Sequence, residues 1–232
     1  MSATKRITRS ARHSVDRAAP RANDPRVLRT RAAVLEAARA LFLRDGYAGS
    51  TMEGIAAAAG LTKRTLYNNY GDKETLFRLI IADAITYAEA FVRGLHEEFA
   101  VGLTRANVHA ALEALAVRMA TAVVRPEIIA LRRLLIGEAR DFPALGAEYF
   151  RRAPEAVMDA LADGFAVLAR RRVLSVRDPR IVAAQFAYLI VGEPLDRALM
   201  TGVVASEAEI TAGAREGAAT FLARYGRAVP GS

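Results

Sequence analysis

Residues 51–73 hold an unusual density of groups that can grip a phosphate or read a base edge. Thr51, Thr62 and Thr65 carry hydroxyls near candidate helix starts, where backbone N–H groups and the helix dipole already favour a phosphate oxygen. Lys63 and Arg64 follow Thr62 directly. From the first turn of a helix, their long side chains can reach phosphate or the O6/N7 edge of guanine. Tyr67 and Asn68 come one turn later, with Asn69 beside them, and an asparagine there can pair bidentately with an adenine edge. Lys73 opens the next element and can grip a further phosphate. The chemistry is that of a polyanion with readable edges, duplex DNA.

Short helices must position these groups. Apolar residues at 34, 38, 41 and 42 mark one face of a helix over 30–45, which Gly46 ends. Ser50 or Thr51 caps a second helix, 52–59, stopped by Gly60, and Thr62 caps a third, 63–69. Asp72 caps a long fourth helix to about Phe99. A supporting helix followed by two short ones across a glycine turn is the helix-turn-helix plan, in which the second short helix enters the major groove by its N-terminal end.

The run Thr51-x3-Ile55-Ala56-x3-Gly60-Leu61-Thr62-Lys63-Arg64-Thr65-Leu66-Tyr67-Asn68-Asn69-Tyr70, with Lys73-Glu74-x-Leu76 after it, resembles the DNA-binding signature of TetR/AcrR-family transcriptional regulators. The resemblance covers about residues 30–78. It implies phosphate contact or capping for Thr51 and Thr62, and bases or adjacent backbone for Lys63 and Arg64. For Tyr67, Asn69 and Lys73 it implies phosphate. Ile55, Ala56, Leu66 and Tyr70 match the packed core of the module. Arg64, the Asn68-Asn69 pair and Gly71 depart from the commonest family pattern, so the binding mode carries over and the operator sequence does not.

Beyond residue 78 helical periodicity continues, giving five further helices over about 104–124, 126–141, 143–171, 178–201 and 206–226, nine in all and no strand. Pro154 and Pro194 fall inside two of these patterns and should kink or break them. The expected architecture is all-α: a basic arm (1–29), a helix-turn-helix domain (30–78) and a helical body (79–232). The resemblance implies that this body binds a small-molecule effector and forms a homodimer. The last two helices are rich in small residues, among them Ala183, Ala187, Gly192, Gly213, Gly217 and Ala218. They could form a four-helix dimer interface or simply pack within the chain. Tyr87, Phe91, Met119, Leu134, Leu135 and Phe165 are candidates for an apolar effector pocket or for plain core. Glu138 ends the apolar run Leu134-Leu135-Ile136. It either faces an effector or pairs with Arg133 or Arg140.

Charge supports this division. The 232 residues carry 33 Lys+Arg against 25 Asp+Glu. Residues 1–29 hold 8 basic and 2 acidic side chains, residues 30–78 hold 7 and 5, and residues 79–232 hold 18 of each. The surplus lies entirely in the first third, as a nucleic-acid module on a neutral carrier requires. The arm adds either loose attraction or contacts along phosphate and minor groove. Zero cysteines exclude thiolate catalysis and Cys-ligated metal. His13, His96 and His109 lack metal-ligand spacing, and Glu97 and Glu98, being adjacent, point apart on a helix. No enzyme, cofactor or metal is expected. No apolar run approaches the ~20 residues needed to span a bilayer, so the expected setting is cytoplasmic with no membrane partner. The competing reading is an architectural, sequence-blind DNA binder without ligand control.

Overall fold

The computed structural model describes residues 25–227. Most of the expected basic arm, residues 1–24, lies outside the described residues. Its last part does not: α1 (Pro25–Gly49) begins five residues before the expected start. Pro25 sits at its first position, where a missing N–H is no loss and the fixed φ suits a helix. At Gly46 the backbone turns to φ 74°, ψ 170°, ending the regular part of α1 where the sequence places its stop.

The reading-head elements follow as α2 (Met52–Ala58) and α3 (Lys63–Tyr70), joined through Gly60 at φ 68°. α4 (Lys73–Ala100) then runs 28 residues, about 40 Å at 1.5 Å per residue. α5 (Val108–Val123) starts later than expected. Before it, the Asn107 carboxamide accepts the Thr104 N–H at 2.7 Å and holds a turn. α6 (Pro126–Gly137) is likewise shorter, because residues 138–142 turn on the Glu138 carbonyl, which accepts from Asp141 and Phe142.

The expected helix over 143–171 is a single rod with a defect. α7 (Pro143–Phe150) passes into a π turn (Arg151–Glu155) and on into α8 (Ala156–Arg170), with helical dihedrals at both joins. Pro154 lies inside the π turn, whose wider hydrogen-bonding pattern absorbs the missing N–H without breaking the rod. α9 (Pro179–Thr201) runs through Pro194 unbroken, and α10 (Glu207–Tyr225) opens with a reciprocal Ser206/Glu209 capping box. With the π-interrupted rod taken as one, nine helical rods make up the described residues, whose sole bridge pairing is Leu174 with Gly226.

Two hydrophobic cores result. One joins α5, α8, α9 and α10 with the end of α4, around stacked and edge-on rings of Phe99, Phe165, Phe186 and Phe221. The other unites α1–α3 and the first half of α4 with Leu131 and Leu135 of α6 and Leu145 and Tyr149 of α7. The reading head therefore shares its core with the body.

Candidate nucleic-acid interface and body cavity

Local capping fixes the head. Thr51 Oγ1 accepts from the Gly54 N–H at 3.1 Å, and Thr62 Oγ1 from the Thr65 N–H at 3.1 Å. The Thr62 and Thr65 hydroxyls are 2.8 Å apart. Asp72 accepts from the Thr75 N–H at 2.7 Å, and that bond holds its carboxyl below the usual aspartate range. Each bond satisfies an otherwise orphaned N–H of a first turn.

α3 buries Leu66 completely and leaves Lys63, Arg64, Tyr67, Asn68 and Asn69 exposed. Arg64 and Asn68 are four residues apart, as are Lys63 and Tyr67, so each pair shares a line along the helix. Arg64 has no hydrogen bond or ion pair among the described residues. Lys63 does: its ammonium pairs with Glu53 of α2 and lies 5.6 Å from the Tyr67 ring centroid. The pairing raises the Lys63 pKa and lowers that of Glu53.

Lys73 differs from the expected phosphate ligand. Its ammonium donates to the carbonyls of Tyr47 (2.6 Å) and Ser50 (3.0 Å) and lies 4.3 Å from the Tyr47 ring centroid. Two of its three protons are thus engaged within the chain, and Lys73 acts as a clamp between the α1–α2 turn and the start of α4. The Tyr47 ring continues inward against Phe42, Phe77 and Phe142, with centroid separations of 4.8–5.6 Å. Burial, and then the charges of Glu74, Asp72 and Glu138, push the Tyr47 phenol up.

The body contains a cavity of about 470 Å³, within the range of small-molecule sites. α4, α5, α6, the α7–π–α8 rod and α9 all contribute walls. Four expected residues line it: Tyr87, Phe91, Met119 and Leu135. Three do not, and the pocket assignment is corrected there. Phe165 is fully buried among the rings of the other core. Leu134, one residue from Leu135 and so about 100° round the helix, turns instead toward a smaller hollow against α1. Glu138 caps the end of α6, where its charge is felt by Tyr47, and it joins neither Arg133 nor Arg140. Sequence reasoning missed Arg132, Tyr149 and Pro154. Arg132 stands three residues before Leu135, a spacing that puts both on one face of α6.

The small residues of α9 and α10 have divided roles. Ala183, Ala187, Ala214, Gly217 and Ala218 are buried inside the chain. A Cβ on Gly217 would come within 2.8 Å of the Leu189 carbonyl oxygen, so this glycine allows α9 and α10 to touch. Outside, α9 exposes Ile181 and Leu189, and Tyr188 is exposed while also lining the cavity; α10 exposes Ala212, Gly213 and Ala219. Among the described residues no helix is long and apolar enough to cross a membrane, and no group of three or more His, Asp or Glu side chains could hold a metal ion.

Known proteins share this arrangement. Residues 34–80 match the bacterial regulatory proteins of the tetR family, and residues 110–227 match the C-terminal domain of AefR-like transcriptional repressors. The HTH-type transcriptional regulator AlkX of Mycobacterium tuberculosis is 29% identical over 109 residues, 44% of this chain and 52% of that protein. The chain thus spans about half the length of this curated relative. A TetR-family regulator from Mesorhizobium loti superposes with a TM-score of 0.76 at 28% identity, covering 88% of this chain and all of that one. The flavonoid-responsive regulator FrrA gives 0.64, also at 28% identity, over 87% of this chain and 99% of its own.

Proposed function

The chain belongs to the TetR family of DNA-binding transcriptional regulators, which are not enzymes, and on that footing we propose that it is a homodimeric, effector-released repressor of a palindromic operator. Residues 30–78 form the reading head and residues 79–232 the effector-binding and dimerising body. The reading rests above all on α3, which is anchored by Leu66 and turns an unpaired Arg64 outward beside Asn68.

In this reading α3 enters the major groove. Arg64 and Asn68 read base edges, while Thr51, Thr62, Thr65, Tyr67 and Asn69 contact phosphate or adjoining backbone. Lys63 follows once DNA competes with Glu53. Lys73 holds the turn that carries Thr51 rather than meeting phosphate. α9 and α10 of two copies pair through the face bearing Ile181 and Leu189, which sets the heads one helical turn apart, about 34 Å.

The shared core supplies a route for release. Cavity walls on α6 and α7 flank Phe142, whose ring meets Tyr47 at 4.8 Å and Phe77 at 5.4 Å, and Tyr47 bears the Lys73 clamp. A ligand that shifts the α6–α7 corner must repack those rings and tilt α4. A coupling of about 1–3 kcal/mol changes affinity by 5–150-fold.

DNase footprinting on genomic fragments tests the reading. The expected result is protection of a short palindrome with affinity far above that for random duplex. Uniform protection of any duplex would instead mark an architectural binder.

A further inference from the structure

The cavity carries more chemistry than its volume. Its walls are mainly apolar, and Arg132 is the sole charged residue among those lining it. This half-buried guanidinium donates through Nε to the Tyr149 hydroxyl at 3.0 Å, with its Cζ 5.9 Å from the Tyr149 ring centroid. It forms no ion pair among the described residues. The acidic residues around it are engaged elsewhere. Glu89 and Glu148, neighbours in sequence of the wall residues Ala88 and Tyr149, both bind Arg152, at 2.7 and 2.9 Å. Glu127, on the same helix as Arg132, faces Arg125 at 3.4 Å, and Glu138 lies toward Tyr47.

A guanidinium kept without a counter-charge at the wall of an apolar cavity is suited to a planar anion. Its Nη protons remain for charge-assisted hydrogen bonds, and the one on the Nε side points next to the Tyr149 hydroxyl, so that a carboxylate oxygen there can accept from both. Tyr149, only 7% exposed, fixes the plane of the fork and can donate its own hydroxyl proton to the same anion. Tyr87, Phe91 and Met119 supply apolar surface on the α4 and α5 walls.

We infer that the cavity binds an amphipathic monocarboxylate, with its carboxylate on Arg132 and Tyr149 and its apolar body between α4 and α5. This assignment rests on the cavity being the effector site. A cation would be repelled by Arg132, and a neutral molecule of the same shape would leave the guanidinium desolvated without compensation.

Calorimetric titration of the full-length protein tests it with matched probes below their aggregation limits. These are dodecanoate, methyl dodecanoate and dodecylamine, with 1-naphthoate, methyl 1-naphthoate and 1-naphthylmethylamine as a flat set. In at least one set the acid should bind roughly 10–100-fold more tightly than its ester, the scale of charge-assisted hydrogen bonds. Arg132→Gln should remove that preference by weakening the acid, while the ester binds as well as or better than to wild type because no guanidinium is left desolvated. Tyr149→Phe should reduce the preference part of the way. Equal binding of acid and ester, tighter binding of the amine, or an acid preference that survives in Arg132→Gln overturns the carboxylate assignment while leaving a ligand-binding cavity. If none of the six probes binds, the effector reading falls and this assignment with it.

Discussion

The ammonium of Lys73 sits on Tyr47 twice over, donating to its carbonyl at 2.6 Å and lying 4.3 Å from its ring centroid. A side chain that looks like a phosphate ligand in sequence is a brace across the head. Lys73→Met should lower stability by roughly 1.5–3 kcal/mol, the range for hydrogen bonds to a charged group. Operator and random DNA should both bind more weakly. The slope of log K against log salt should stay unchanged, whereas loss of a true phosphate contact would flatten it by about 0.9. Thermal melts and a salt series of binding isotherms separate the two roles.

Arg64 and Lys63 adjoin on α3 but differ in their partners. Arg64→Ala should cost roughly 1–3 kcal/mol on the operator, a bidentate base contact, and little on random duplex. Base preference at one position per half-site should relax. Competition binding with operator variants measures this, and an equal loss on all sequences would contradict a base-reading Arg64.

Glu53 holds the Lys63 ammonium in an exposed ion pair. Glu53→Gln removes a negative charge beside the DNA face and frees that cation. Affinity should rise on every sequence, because Lys63 no longer has to leave Glu53 to meet DNA, while the salt slope keeps the same number of phosphate contacts. Weaker or unaltered binding would mean that the pair positions Lys63 for DNA.

The head was legible because its determinants are local. Thr51, Thr62 and Asp72 each cap an N–H three residues onward, and Gly46 and Gly60 adopt the positive φ that marks a stop. Such relations are written within four residues of one another. The cavity was legible only in part, because it depends on how each helix is rotated about its axis. Leu134 and Leu135 are equally apolar, yet only Leu135 lines it. Phe165 has the spacing of a pocket wall but faces three other rings, a fact set by α4, α9 and α10. The Arg132–Tyr149 pair joins residues 17 apart on two helices, and no periodicity announces such a meeting.

Asp72 gives the head a pH dependence. Its carboxyl is held below the ordinary aspartate range by the bond from the Thr75 N–H. A group with a depressed folded pKa stabilises above its unfolded value, about 3.9, and loses that contribution as pH falls through the folded value. Asparagine caps as well but lacks the charge that favours a helix start. Asp72→Asn should therefore cost about 0.3–1 kcal/mol at neutral pH, with the gap from wild type closing below about pH 4. Denaturant melts across pH 2–7 follow it.

Leu189 tests the pairing of two copies. It is 46% exposed on α9, and its carbonyl faces the buried Gly217. Leu189→Arg leaves the interior intact and should convert a dimer to a monomer by light scattering. Operator affinity should fall at least about tenfold as the two half-sites uncouple. A dimer that persists places the interface elsewhere.

The π turn at Arg151–Glu155 sets the phase between two surfaces that one rod must serve. Tyr149 and Pro154 lie on the cavity wall, while Leu161, Phe165 and Leu168 fill the body core. A π turn accommodates one residue more than an α turn, and each α-helical residue advances the direction of a side chain by about 100°. Removing one residue from the turn would rotate α7 against α8 by about that angle, so that either Tyr149 leaves Arg132 or Phe165 leaves its rings. The defect lets a single helix behave as two cams on one shaft, α7 turned to Arg132 and the head core and α8 turned to the ring core.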